Sequence, residues 1–364
     1  MSEVFLSAID IVKVRHLQNL YIPLSDKTVK NLIITGQNGS GKTSLLDAIA
    51  QTLNAISADN IDSDNKVILK CDYNKLKQKY NDGKFILAYY KANRLSKVQL
   101  SDSIQAIKPE DKYSINQSAG EMLIKYMVSL KATQAFAQQK GDTQRVNEID
   151  SWFNRFEKIL KRIFNDDNLK LDFNIETFQF SILQTGHEPF DFNTMSSGYS
   201  AVFDIINDLT MRTEKRGSDI EGIVLIDEIE THLHLELQKI ILPFLIEIFP
   251  NIQFIVSTHS PFILNSIDNA VIFDLENKTL VQNGLANLPY EGIVEGYFKA
   301  DRLSTELQNK FYRYKELVSK QDLSDNDYAE IMELQIYLDE IPDYLALDIA
   351  AEYSRLKLEF NNRE

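Results

Sequence analysis

The stretch Asn31, Leu32, Ile33, Ile34, Thr35, Gly36, Gln37, Asn38, Gly39, Ser40, Gly41, Lys42, Thr43 decides how the chain is read. Asn31 to Thr35 is a short apolar run that predicts a buried strand, and a helical pattern starts at Lys42 and continues to about Ala55. Between them, Gly36 to Thr43 fits G-x-x-x-x-G-K-[ST] in the strand–turn–helix setting that this motif requires. Gly36, Gly39 and Gly41 let backbone N–H groups turn inward on an anion, with Asn38 and Ser40 between them. The helix N-terminus adds its positive end. Lys42 is then placed for the β- and γ-phosphates of a nucleotide and Thr43 for Mg²⁺.

Three further stretches gain meaning from that loop. Gly222 to Ile226 is an apolar run ending in Asp227 and Glu228. It reads either as ordinary strand-to-loop punctuation or as a metal-holding aspartate followed by a glutamate that takes a proton from attacking water. Phe254 to Val256 is a second apolar run, ending in Ser257, Thr258, His259, Ser260 and Pro261. His259 is either a surface histidine or a group facing the γ-phosphate from the carboxyl edge of a parallel sheet. Ser196, Ser197 and Gly198 precede an apolar helical run from Ala201 to Met211, and form either a plain N-cap or an anion site. His232 and His234 stand two apart at a helix start and point in different directions, which favours a structural or dimer-contact role over zinc.

Outward from these motifs, the pattern is β-α alternation with buried strands. Strands are expected at Val4 to Val14, Leu20 to Leu24, Val67 to Cys71, Phe85 to Tyr90, Ile223 to Ile226 and Ile252 to Ser257. Residues 59–83 otherwise read as surface loops, and 101–118 as a linker. Helices are expected over 119–140 and 143–164, with Trp152, Phe153 and Phe156 as their packing residues, and over 303–319, 324–338 and 343–359 as polar segments. The expected architecture is α/β: a head with a mostly parallel central sheet, an antiparallel β subdomain, a helical insertion and a C-terminal helical tail. Its divisions are 1–100, 101–166, 167–299 and 300–364.

Composition sets outer limits. In 364 residues, 39 Lys and Arg against 53 Asp and Glu give a net charge of −14, which excludes a general cationic coat for nucleic acid. The charge is uneven: Lys66 to Lys97 holds nine basic residues against two acidic, and 321–354 holds ten acidic and no basic. Each run reads as a solvated face, or as a nucleic-acid surface and an acidic partner-binding tail respectively. The lone Cys71 excludes an internal disulfide framework. No apolar run reaches membrane-spanning length and no basic, apolar leader opens the chain, so no membrane partner and a cytoplasmic location are expected.

The order of phosphate loop, Ser-Ser-Gly turn, Asp-Glu strand and Ser-Thr-His strand resembles the ABC-type ATPases of the SMC, RecF and OLD branch, over about residues 1–275. Transporter ATPases are a poorer match, because Tyr199 and Ser200 stand where their signature has Gly and Gln. Thr231 to His234 and Ser257 to Pro261 are similar to the Septu and retron-associated ATPases of antiphage defence. The resemblance implies ATP and Mg²⁺ as cofactors. Gly36, Asn38, Gly39, Ser40, Gly41, Lys42 and Thr43 would bind ATP, and Thr43 and Asp227 would hold Mg²⁺. Lys42, Glu228 as base and His259 as switch would be catalytic, with Ser196 to Gly198 acting on the other chain of an ATP-sandwich dimer. It also implies a partner, an HNH nuclease or other effector, docked on 300–364, with DNA or RNA as a further ligand. No nuclease site is expected in the chain itself. Two other readings stand beside this one: a DNA-clamping repair ATPase and a nucleotide-sensing scaffold with little turnover. No Q-loop glutamine follows Tyr90; Lys91 and Arg94 stand there as candidate nucleotide contacts or as surface charge.

Overall fold

The computed structural model describes residues 4–58, 66–93, 103–214, 220–288, 292–293, 305–341 and 347–362. The chain divides into two compact units, Met1–Leu288 and Pro289–Glu364.

The first unit is built on a six-stranded sheet. Its strands are β3 (Asn31–Thr35), β5 (Phe85–Tyr90), β8 (Glu221–Ile226), β9 (Ile252–Ser257), β10 (Ala270–Asp274) and β11 (Thr279–Val281), in the order β11-β10-β3-β9-β8-β5. All neighbours are parallel except β10 and β11. Strands β3, β9 and β10 are buried at every residue, as expected of a parallel sheet covered on both faces. This topology puts the carboxyl ends of β3, β9 and β8 side by side.

A three-stranded antiparallel sheet, β2-β1-β4, comes from β1 (Ala8–Val14), β2 (Leu17–Pro23) and β4 (Val67–Lys70). Buried and exposed positions are mixed along each strand, strictly alternating in β4, so this sheet is less completely covered than the parallel one. Helix α1 (Lys42–Ala58) joins the two sheets in one core: Leu45, Leu46, Ile49 and Leu53 cluster with Ile9, Ile11 and Leu69 of one sheet and Ile34 and Ile255 of the other.

Helices α3 (Leu123–Lys140) and α4 (Thr143–Phe164) form the helical insertion, separated by Gly141 in the left-handed region. On α4, Trp152 stacks on Phe156 at 5.4 Å between ring centres, and Phe153 stacks on Phe180 at 5.8 Å. Phe180 lies in β7 (Gln179–Leu183), which pairs with β6 (Lys170–Asn174) as a hairpin that the sequence pattern did not suggest. Helices α5 (Ser197–Thr213), α6 (Leu235–Ile248) and the single turn α7 (Pro261–Leu264) complete the unit.

Two expectations need correction. Part of the stretch read as loops is a helix, α2 (Tyr73–Asn81), capped by Asp72, whose side chain accepts from the Lys75 N–H. Only Leu76 of its nine residues is buried, so it carries no apolar stripe for the sequence to reveal. The stretch read as a linker is irregular over 103–118 yet pinned: Tyr113 and Ile115 are buried, and the Ile115 carbonyl accepts from the Tyr89 N–H. Several strands also start elsewhere than expected, the first two running over Ala8–Val14 and Leu17–Pro23.

Among the described residues, the second unit holds the helices Thr305–Val318, Asp325–Asp339 and Leu347–Asn361. Their sequences look polar, but Leu307, Phe311, Tyr314, Leu317, Ile331, Leu334, Tyr353 and Leu356 close a hydrophobic core of their own. A capping box of Ser324 and Asp327 starts the middle helix. Much of the acidic run is internally paired: Arg313 with Glu330, Lys320 with Asp327, and Lys357 with Asp339.

Candidate functional site

The phosphate loop follows β3 in the form its glycines dictate. Gly36, Gly39 and Gly41 have φ of 134°, 84° and 101°, where side chains are disfavoured. A Cβ on Gly36 would also come within 2.9 Å of Ser40 Oγ. Two neighbours fix the loop from outside: His16 Nε2 donates to the Ser40 carbonyl at 3.0 Å, and Glu276 accepts from the Gln37 N–H at 3.3 Å. Lys42 is 5% exposed and donates to the carbonyls of Gly36 at 2.9 Å and Gln37 at 3.1 Å. Burial pushes its ammonium below the usual lysine range, opposed by Glu228, Glu230, Asp227 and Asp274.

The Asp-Glu strand end meets this loop. Thr43 Oγ1 donates to Asp227 Oδ2 at 2.8 Å, joining residues 184 apart in sequence. The other oxygen, Oδ1, accepts from Ser257 Oγ at 2.6 Å, and the same serine oxygen accepts from the Glu228 N–H at 2.8 Å. Ser257 ends β9, so one hydroxyl sets the carboxylate of Asp227 and the backbone of Glu228 together. Glu228 itself has φ 45°, a left-handed conformation unusual for a glutamate, and its carboxylate accepts from Thr231 Oγ1 at 3.3 Å. Strain of this kind persists only where surrounding bonds over-determine it, and it gathers at functional positions.

His259 stands two residues beyond Ser257. Its backbone N–H donates to Glu230, which holds the turn. Its Nε2 is buried and has no partner among the described residues, as is true of Ser40 Oγ and Thr35 Oγ1. Burial and then the Lys42 charge push the His259 imidazole toward its neutral form, against Glu228 and Asp227. Burial raises the Glu230 carboxyl.

The fold therefore gathers Gly36, Asn38, Gly39, Ser40, Gly41, Lys42, Thr43, Asp227, Glu228 and His259 at adjoining ends of β3, β8 and β9. Ser196, Ser197 and Gly198 are placed differently. Ser196 N-caps α5 without a side-chain cap bond, and Ser196 and Ser197 are exposed. Gly198 is buried, with the His232 carbonyl 3.0 Å from where a Cβ would stand. The turn thus rests on the far end of the 227–234 loop and turns its hydroxyls outward. The His234 ring lies edge-on to Tyr199, 5.8 Å between centres. Lys91 lies 5.9 Å from the Tyr89 ring centre, and Arg94 falls outside the described residues.

Sequence reading did not find the roles of Ser257, Glu230, His16 or Glu276. Their partners in the site are 24 to 239 residues away, so no local pattern marks them. Two cavities of about 490 and 750 Å³, sharing Trp152, Arg155 and Glu214 in their walls, lie apart from this cluster. Among the described residues, no helix is long and apolar enough to cross a membrane.

The donor set suits a nucleoside triphosphate with a hard divalent cation. Inward N–H groups and a buried ammonium serve the phosphates, and a hydroxyl meeting a carboxylate serves Mg²⁺, which favours few protein oxygens plus phosphate. The buried, unpartnered Ser40 Oγ and His259 Nε2 are further polar atoms with capacity for a ligand.

The chain is similar to several known proteins. Residues 106–265 match the family described as "AAA domain, putative AbiEii toxin, Type IV TA system". Septu protein PtuA of Bacillus mycoides is 27% identical over 361 residues, covering 91% of this chain and 50% of that protein. The Retron Ec83 probable ATPase of Escherichia coli is 34% identical over 147 residues, 38% of this chain and 27% of that protein. The chain spans about half the length of the first of these relatives and about a quarter of the second. Among solved structures, an Smc head bound to the C-winged helix domain of ScpA is 14% identical at a TM-score of 0.44, covering 79% of this chain and 99% of that one. The chain is thus similar over most of its length to Septu protein PtuA and over shorter stretches to a retron probable ATPase.

Proposed function

We propose that this chain binds and hydrolyses ATP as the ABC-type ATPase subunit of an antiphage defence complex. The observation that carries the reading is the bond from Thr43 Oγ1 to Asp227 Oδ2, which joins the phosphate loop to the Asp-Glu strand end at one point beside Lys42. In this reading the loop N–H groups of Gly36 to Thr43 and the Lys42 ammonium hold the phosphates. Thr43 and Asp227 hold Mg²⁺, which when bound neutralises charge on the phosphate oxygens. Glu228 accepts the proton of the attacking water, its carboxylate set by Thr231 and its backbone by Ser257. His259 donates toward the γ-phosphate from the end of β9.

The outward hydroxyls of Ser196 and Ser197 support completion of the site by a second copy, whose signature turn caps the γ-phosphate in trans. ATP then drives dimerisation, and the dimer controls an effector. An HNH-type nuclease is the effector that the resemblance to Septu and retron ATPases favours, with 300–364 as its dock and nucleic acid as a further ligand. The test is sedimentation velocity and ATP turnover of wild type, Lys42→Ala and Glu228→Gln. Expected are ATP-dependent turnover by wild type, no ATP binding by Lys42→Ala, and a stable ATP-bound dimer without turnover for Glu228→Gln. Unchanged hydrolysis by Glu228→Gln would overturn the base assignment.

A further inference from the structure

Ten residues beyond Gly198, about 15 Å along α5, lies an ion pair that the motifs do not contain. Asp208 and Arg212 are each 2% exposed and are joined through Nε and Oδ2 at 2.5 Å. Beyond the bond between them, the pair's bonding sites reach two places, strand β5 and the segment 114–120. Asp208 Oδ2 also accepts from the Tyr90 hydroxyl at 2.6 Å. Its Oδ1 accepts from the Ala119 and Gly120 N–H groups, which lead into α3. Arg212 donates to the carbonyls of Leu87 on β5 at 2.9 Å, of Ser114 at 3.2 Å and of Gln117. The contact around it is tight, since a Cβ on Gly120 would stand 2.7 Å from the Asp208 nitrogen.

A buried ion pair is a weak source of stability, because desolvation offsets the attraction and an apolar replacement often serves as well. What this one supplies is placement. Tyr90 is the last residue of β5, in register with Ile226 of β8. Its carbonyl accepts from the Asp227 N–H at 2.8 Å. The same tyrosine therefore touches Asp208 with its hydroxyl and the Asp227 peptide with its backbone. The path from the Ser196–Gly198 turn to the carboxylate beside Thr43 runs along α5, across one 2.6 Å bond, and through a single residue. Tyr90 also stands where the sequence has no Q-loop glutamine.

We infer that Tyr90, held by Asp208 and Arg212, is a positioning residue that sets the Asp227–Glu228 peptide from the signature helix. The inference rests on the hydrolysis reading above and adds the residue that ties its two halves. Tyr90 touches no nucleotide group in this scheme, so its effect falls on the chemical step and not on ATP binding.

The test is steady-state kinetics of the full chain with Tyr90→Phe, which keeps the ring and backbone and removes one hydroxyl. Asp208 keeps Arg212 and two N–H donors, so folding is preserved, and loss of one bond to a charged group lowers the melting temperature by about 3–12 °C. With one hydrogen bond to a charged group lost, kcat should fall by about tenfold while KM for ATP stays within about twofold. Arg212→Lys, which cannot reach three carbonyls and a carboxylate at once, should show the same split with a larger fall in kcat. A Tyr90→Phe variant equal to wild type in kcat overturns the positioning role. So does one in which KM rises along with the fall in kcat, since a loss spread over binding and chemistry marks a structural role only. If wild type itself shows no turnover sensitive to Lys42→Ala, the hydrolysis reading falls, and the positioning role falls with it.

Discussion

Ser257→Ala isolates one hydroxyl to which the Ser-Thr-His motif assigns no role. It removes a 2.6 Å bond to the Asp227 carboxylate and a 2.8 Å bond from the Glu228 N–H, both at a residue with no exposed surface. A bond to a charged group contributes roughly 1.5–3 kcal/mol net and a neutral one roughly 0.5–1.5 kcal/mol. The methyl that replaces the hydroxyl satisfies neither partner, so the expected loss of stability is about 2–4 kcal/mol. Trp152, the chain's single tryptophan, lies in the first unit, so urea unfolding followed by its fluorescence reports that unit alone. The midpoint should drop with the slope unchanged. Turnover should fall by about 10- to 100-fold, because the same loss frees both Asp227 and the left-handed Glu228 backbone. A loss of stability below about 0.5 kcal/mol together with unchanged turnover would refute the assignment of Ser257 as the bridge, since that lies within the range of an ordinary surface change.

Further outcomes follow from the same geometry. Gly36→Ala should abolish nucleotide binding in a filter or fluorescence assay, because φ 134° and a 2.9 Å approach to Ser40 Oγ leave no room for a methyl. Glu228→Gly should abolish turnover while raising the melting temperature, by relieving a left-handed non-glycine residue that costs about 1 kcal/mol or more. In the second unit, Lys320, Arg313 and Lys357 hold the carboxyls of Asp327, Glu330 and Asp339 below their usual range. A depressed folded value means that the stabilisation is complete above the unfolded value near 4 and is lost as pH falls through the lower folded values. The protection of amides in the three C-terminal helices, relative to intrinsic exchange at each pH, should therefore fall between about pH 4 and pH 2. Constant protection across that window would show that those pairs contribute nothing.

The parts legible in the sequence share a physical cause. Asn31–Thr35, Phe85–Tyr90 and Ile252–Ser257 are apolar runs closed by turn residues, and each matches its strand to the residue. The phosphate loop is legible because glycine, lysine and threonine must stand at fixed spacing for their chemistry. Elements with little buried surface are silent: α2 buries only Leu76, and the β6 strand buries none of its five residues. The C-terminal helices misled in the opposite sense, because their charged faces outweigh the narrow stripe that includes Phe311, Tyr314 and Leu317. Relations across the chain could not be read at all. Asp208 and Tyr90 are 118 residues apart, and a helical aspartate four residues before an arginine looks like surface pairing until both are found at 2% exposure.

The two hydrophobic cores bear on how such a chain can change over generations. Each core in the first and last stretches closes on residues of its own stretch, the second wholly within 305–362. Among the described residues, the C-terminal cluster is held by contacts of its own, so changes within 305–362 can compensate one another locally. The final helices can then diverge as one packed set, while the residues gathered around the phosphate loop answer to separate constraints.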